Sequence, residues 1–260
     1  MNGSNGVIRG RLGLAIGVMS ALIAVAFAGV AGASSAAQTP GPIKSGAGPG
    51  WPKTLSPSDF VSRVDNPYFP LKPGSKYRYK GNKEGTRMTD ALRVTHRTKT
   101  ILGVKTTVVH DVVRVHGRRE EVTNDFYAQD RHGNVWYFGE ATKELDRHGN
   151  TVSTEGSFKA GKDGARAGLF IPGHPKVGDT ARQEFYKGHA EDHFKVLDLK
   201  AHVSVPFVTT NKALRTKEWT PLEPAAKAIK SYCPEARGLV LIEHLRTGER
   251  IELTRVEPIQ

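Results

Sequence analysis

From Tyr77 to the C-terminus the chain runs in short stretches rich in β-branched and aromatic residues, separated by glycine-containing turns. "VKTTVVHDVVRVHG" from Val104, "REEVTNDFYAQD" from Arg119, "GNVWYFGE" from Gly133 and "RGLVLIEHL" from Arg237 all fit strands. The pentapeptide "DRHGN" occurs at 130–134 and again at 146–150. Its glycine supplies the positive φ that a hairpin turn requires. Helical periodicity is confined to "SPSDFVSRV". There Ser56 is a candidate N-cap, Pro57 sits at the first helical position, and Phe60 and Val64 share a face. This predicts one short helix over 57–64, then a proline-rich stretch, "DNPYFPLKPG", that turns Tyr68 and Phe69 toward a core.

The β region also aligns with itself. "LKPGSKYR" at 71–78 lies over "PKVGDTAR" at 175–182, pairing Lys72 with Lys176, Gly74 with Gly178 and Arg78 with Arg182. "DALRV" at 90–94 lies over "DHFKV" at 192–196, and "FYAQDRHGNVW" at 126–136 over "SYCPEARGLVL" at 231–241. The order is the same in both halves, about 70–160 and 174–257. The expectation is a mainly β protein of roughly ten to twelve strands. Two related antiparallel β-meanders would form one curved sheet, open barrel or sandwich, with the short N-terminal helix as plug or lid.

Ahead of the β domain at 56–260, Arg9 and Arg11 precede an uncharged run from Leu12 to Val30, followed by small residues in "AGASSAAQ". This is the layout of a Sec-type signal peptide over 1–37. If it were left uncleaved, the run is long enough to anchor the chain in a membrane. Residues 38–55 are mostly Gly, Pro, Ser and Ala and predict a flexible linker. The expected location is exported: extracellular, cell wall or periplasm. A single cysteine, Cys233, excludes an intramolecular disulfide, so stability rests on a core. The formal charge of +12 becomes +10 once Arg9 and Arg11 leave, because residues 1–37 hold no acid. A basic surface suits lipid headgroups, wall polymer or other anionic or amphipathic ligands. Nucleic-acid binding is not expected, because the cations are interspersed with acids and no recognition helix or RNP-like pattern is present.

Several segments resemble a family of exported bacterial proteins without established chemistry: "DNPYFPLKPGSKYRYKG", "FYAQDRHGNVWYFGE", "EGSFKAGKDGARAGLFIPGHPKVGD", "QEFYKG", "EWTPLEP" and "SYCPEARGLV". "PKVG" and "SYCPEARGLV" are also similar to elements of half-barrel, lipid-carrying lipoproteins, although the lipidated cysteine of that group is missing. The resemblance implies fold and export and brings no catalytic residue.

No nucleophile elbow, P-loop, H-E-x-x-H or C-x-x-C motif is present, so no catalytic residue is assigned. Asp125 and Glu140 lie close in sequence to Tyr127, Trp136 and Tyr137, and Trp219 lies in "EWTPLEP". Carboxylates beside aromatics suit a ligand groove; they equally suit a hairpin with an aromatic core face and a wet outer face. "REEVTND" reads as a solvated strand. "GHAEDHF" gathers His189, Glu191, Asp192 and His193. On a strand this spacing offers imidazoles and carboxylate to a divalent metal. Alignment with the first half instead puts His189 and Glu191 in a hairpin tip, with His193 on a strand. The expected function is a noncatalytic envelope binding protein holding an apolar or amphipathic ligand in a curved sheet. The alternatives are a metal-binding protein or metal-assisted hydrolase at 189–193, and a structural envelope protein.

Overall fold

The computed structural model describes residues 41–236 and 238–257. The expected signal peptide lies outside them, and so does the question of a retained anchor. Among the described residues no helix is long and apolar enough to cross a membrane.

The protein is built on one large antiparallel sheet that curls until it is nearly closed as a barrel. Its strands are β1 (Lys76–Lys83), β2 (Thr86–Ile101), β3 (Val104–Val115), β4 (Arg118–Asp130), β5 (Val135–Leu145) and β6 (Arg166–Ile171). These are followed by β7 (Thr180–Arg182), β8 (Glu184–Phe185), β9 (His193–Val205), β10 (Val208–Trp219), β11 (Lys227–Cys233), β12 (Gly238–His244) and β13 (Arg250–Glu257). Neighbours in sequence pair from β1 to β6 and from β9 to β13, while β13 returns to pair with β1. At the opposite seam, β7 pairs with β9, and β8, one residue further on, pairs with β6. The ends of the sheet thus meet across a single broken strand, which removes the open edges that a curved sheet would otherwise expose.

Two turn geometries recur on opposite sides. Gly74 (φ 93°) donates its N–H to Val94 O, Ser75 N–H donates to Lys72 O, and Val94 N–H returns to Ser75 O. Gly178 (φ 96°), Asp179, Lys176 and Val196 make the same three bonds. A residue with a Cβ would be strained at either glycine. Both DRHGN pentapeptides are hairpin turns in which the aspartate side chain accepts two backbone N–H groups: those of His132 and Asn134 at Asp130, and of His148 and Asn150 at Asp146.

The helix expected over 57–64 does not form. Pro57–Asp59 make a single 3-10 turn, and Phe60–Val61 pair with Gln129 and Asp130 as a short strand. The N-capping side chain of Asp59 accepts Ser56 N–H at 2.7 Å, but Phe60 and Val61 are β-formers beside an available strand edge, and tertiary pairing overrides the helical signal. The flexible linker is also shorter than expected. Ile43–Lys44 pair with Thr54–Leu55, and Ile43, Ala47 and Leu55 are buried. A few apolar residues among the glycines and prolines suffice to hold this segment on the barrel. Residues 60–71 then cover one end: Phe69 packs edge-on against Tyr127 at 5.3 Å and tilted against Phe170 at 4.7 Å.

The seam depends on close backbone approach. A Cβ at Gly168 would stand 2.2 Å from Gln183 O. Gly168→Ala is expected to cost about 1–3 kcal/mol, an overpacking penalty read as a lowered urea midpoint at unchanged m-value.

Candidate functional site

Directly paired residues of neighbouring strands share a face. One register row runs Tyr79, Asp90, Val113, Glu121, Glu144; the next runs Tyr77, Leu92, Asp111, Thr123, Thr142; a third runs Val94, Val109, Asp125, Glu140, Phe158. The buried apolar members Tyr77, Tyr79, Leu92, Val94, Val109 and Val113 identify this face as the inside of the barrel. Asp90, Asp111, Glu121, Asp125 and Glu140 share it and are at most 4% exposed. From the other half come Glu184 and Glu218, at 3% and 5% exposure, and the carboxyl of Asp192, whose Oδ1 has no solvent contact although the residue as a whole is only half-buried.

These acids fall into two environments. Glu218 is fully partnered: Oε2 lies 2.6 Å from Lys230 Nζ, and Oε1 accepts from Thr216 Oγ1 and Tyr232 OH, both at 3.0 Å. These are charge-assisted contacts, and they satisfy both oxygens. Around Tyr137 the setting is the opposite. Its hydroxyl lies 2.6 Å from Asp125 Oδ1 and 3.1 Å from Glu140 Oε2. One hydroxyl proton serves one acceptor, so both contacts are hydrogen bonds only when one carboxyl carries a proton and donates it to the phenol oxygen. Asp125 Oδ2, Glu140 Oε1, Glu184 Oε2, Asp192 Oδ1 and both carboxyl oxygens of Asp111 are buried without a hydrogen-bond partner of ordinary geometry, and so is the Tyr127 hydroxyl.

Burial dominates the titration of this group. It pushes Asp111, Asp125, Glu140 and Glu184 well above the ordinary carboxylate range, and each is raised further by a neighbouring acid: Asp90, Asp111, Asp125 and Asp192 respectively. Asp192 is raised by burial to about 7, with the Lys230 charge opposing the rise. Tyr127 and Tyr137 stack at 4.5 Å, and burial first, then the charge of Asp125, raises both phenols. Burial thus favours the protonated form of these interior carboxyls.

Of the aromatic and acidic candidates from the sequence, Asp125, Tyr127, Tyr137 and Glu140 converge here. The wet outer face considered for this hairpin is absent, since Asp125 and Glu140 face the barrel interior, and "REEVTND" is not a solvated strand, since Glu121 and Asp125 are buried. Trp136 belongs to the other face of β5, where its indole N–H donates to Asp130 Oδ2 at 2.8 Å. Trp219 ends β10 and stacks on His193 at 5.4 Å. The "GHAEDHF" cluster is dispersed: His189 stacks on Tyr186, Glu191 accepts Gly188 N–H, and His193 Nδ1 pairs with Glu191 O. Asp192 alone joins the interior acids. Among the described residues no three His, Cys, Asp or Glu side chains are placed to hold a metal ion. Asp111 and Lys230 carry no signal in the sequence; there Glu184 offers itself only as a further donor to the 189–193 cluster, and Glu218 only as the neighbour of Trp219 in "EWTPLEP". The lone Cys233 is buried, with its thiol 3.0 Å from Glu235 Oε2; burial pushes that thiol up, away from nucleophilic character.

Tyr137→Phe removes the donor between two buried carboxyls. The expected cost is about 1–3 kcal/mol in chemical denaturation at pH 7.

Comparison with protein-family models, with curated proteins and with solved structures finds no match.

Proposed function

We propose that this protein is a noncatalytic binding protein of the cell envelope, and that the acid-rich inside of the barrel receives an organic cation with several N–H donors, of the di- or polyamine class. The observation that carries this reading is the set of buried oxygens on Asp125, Glu140 and Glu184 that make no hydrogen bond of ordinary geometry, beside the buried acids Asp111 and Asp192. Buried polar groups are ordinarily paired, and an acceptor-rich interior is completed by donors. The acceptors lie on strands from both halves of the barrel instead of converging on one point, which favours an extended cation over a single metal ion.

Because burial favours the protonated form of these carboxyls, a bound cation that ionises them releases protons. Calorimetry with spermidine in two buffers of different ionisation enthalpy is expected to show saturable binding with net proton release at pH 7. Absence of saturable binding by spermidine, putrescine and cadaverine overturns the reading.

A second reading has its own observation. A largely apolar cavity of about 590 Å³ lies at the covered end, lined by Val64, Pro67, Pro70, Leu71, Pro73 and Tyr77 among others. It suits the apolar body of an amphipathic ligand. Native mass spectrometry of protein taken from its own host separates the two: a co-purified amine supports the first, a lipid the second.

A further inference from the structure

The outside of the barrel carries a second, oppositely charged feature, independent of the interior. Where β13, β1, β2 and β3 run side by side, Arg255 pairs with Arg78, Arg78 with Ala91, Lys80 with Thr89, and Thr89 with Arg114. These residues belong to the face opposite the buried acids, and Arg78, Lys80 and Arg255 are exposed. The small side chains of Ala91 and Thr89 leave a depression between the long cationic ones. It forms a bowl of about 610 Å³ lined by the cations Arg78, Lys80, Arg114 and Arg255, by Thr89 and Thr254, and also by the acids Asp90 and Glu257.

Only one of the four cations is neutralised. Arg78 Nε donates to Glu257 Oε1 at 3.0 Å, which fixes that guanidinium at the rim, and Glu257 also meets Lys76 at 3.4 Å. Among the described residues Lys80, Arg114 and Arg255 have no hydrogen-bonding or ion-pair partner. Like charges gathered around a concavity repel one another and are relieved by an anion. Guanidinium groups match the tetrahedral oxygens of phosphate, and the hydroxyl of Thr89 adds a donor, while that of Thr254 is already given to Arg78 O at 2.9 Å.

We propose that this bowl is a binding site for a phosphate group, either free or carried on a lipid headgroup. It would place the basic outer face against a phosphate-bearing surface while the interior serves its own ligand.

The test uses the intact protein with two probes: inorganic phosphate by calorimetry, and cosedimentation with vesicles of phosphatidylglycerol in phosphatidylcholine against phosphatidylcholine alone. Arg114→Glu with Arg255→Glu is expected to weaken binding about tenfold or more, as loss of charge-assisted hydrogen bonds should. A control with the same charge change on other exposed lysines, Lys105→Glu with Lys195→Glu, is expected to bind as the unaltered protein does. The milder pair Arg114→Gln, Arg255→Gln is run alongside, so a folding defect in the glutamate variant leaves the question decidable. Saturable phosphate binding assigns the bowl to free phosphate. Binding only to the phosphatidylglycerol vesicles assigns it to the headgroup. Binding of neither probe, or equal weakening in the control, overturns the site.

Discussion

Stability is expected to fall as pH rises from about 4 to 7, the reverse of ordinary acid denaturation. Asp111, Asp125, Glu140 and Glu184 titrate well above the ordinary range when folded, and Asp192 at about 7. Below the unfolded carboxylate value of about 4, both states hold these protons and the full stability is present. Above it the unfolded chain loses them while the folded barrel keeps them, so each group lowers stability by about 1.4 kcal/mol per pH unit. For Asp192 the window closes near pH 7. Several groups act together, so the slope is steep. Urea denaturation at pH 5, 6 and 7 checks it, and stability that climbs over this range contradicts it. A bound cation should flatten the slope, since it stabilises the ionised carboxyls in the folded state only.

Lys230→Met is expected to be the most damaging single substitution inside the barrel at neutral pH. The ammonium is 2.6 Å from Glu218 Oε2, with side-chain exposures of 13% and 6%, and its charge also opposes the rise at Asp192 and Glu184. Removing one partner of a buried pair leaves the other charge uncompensated, at about 3–5 kcal/mol. Protonation of the orphaned acid relieves that cost, so the penalty should shrink at pH 5. The double variant Lys230→Met, Glu218→Gln should recover much of the loss. Denaturation of the single and double variants at both pH values reads this directly. An equal penalty at both pH values would show that lost packing of the lysine stem, and not charge, is responsible.

Much of the architecture was legible from the strand-length runs and turn chemistry. Gly133 and Gly149 announce hairpins, and the runs that begin at 104, 119 and 133 carry the strands Val104–Val115, Arg118–Asp130 and Val135–Leu145. The 57–64 helix failed because a capping signal is local, whereas the strand edge that captures Phe60 and Val61 comes from residues 129 and 130, distant in sequence. The site was half legible. Asp125, Tyr127, Tyr137 and Glu140 stood out as acids among aromatics, but alternation alone does not say which face is inward, and acids are ordinarily placed outside. Closure of the barrel put them inside. Asp111 carried no signal, and Glu184 none of burial, because nothing in "VVHDVVR" or "RQEFY" distinguishes a buried acid from an exposed one. Conversely, the crowded "GHAEDHF" drew attention through proximity in sequence, while its side chains diverge.

The most direct test of the central claim, that burial inside the barrel favours the protonated form of its carboxyls, is a pH titration of the Asp and Glu side-chain carboxyl carbons by 13C NMR. Spectra of the ligand-free protein are assigned through Asp111→Asn, Asp125→Asn and Glu140→Gln. The account predicts that these three carboxyls titrate well above the exposed acids. Ionisation of all three below pH 5 in the folded protein would contradict it.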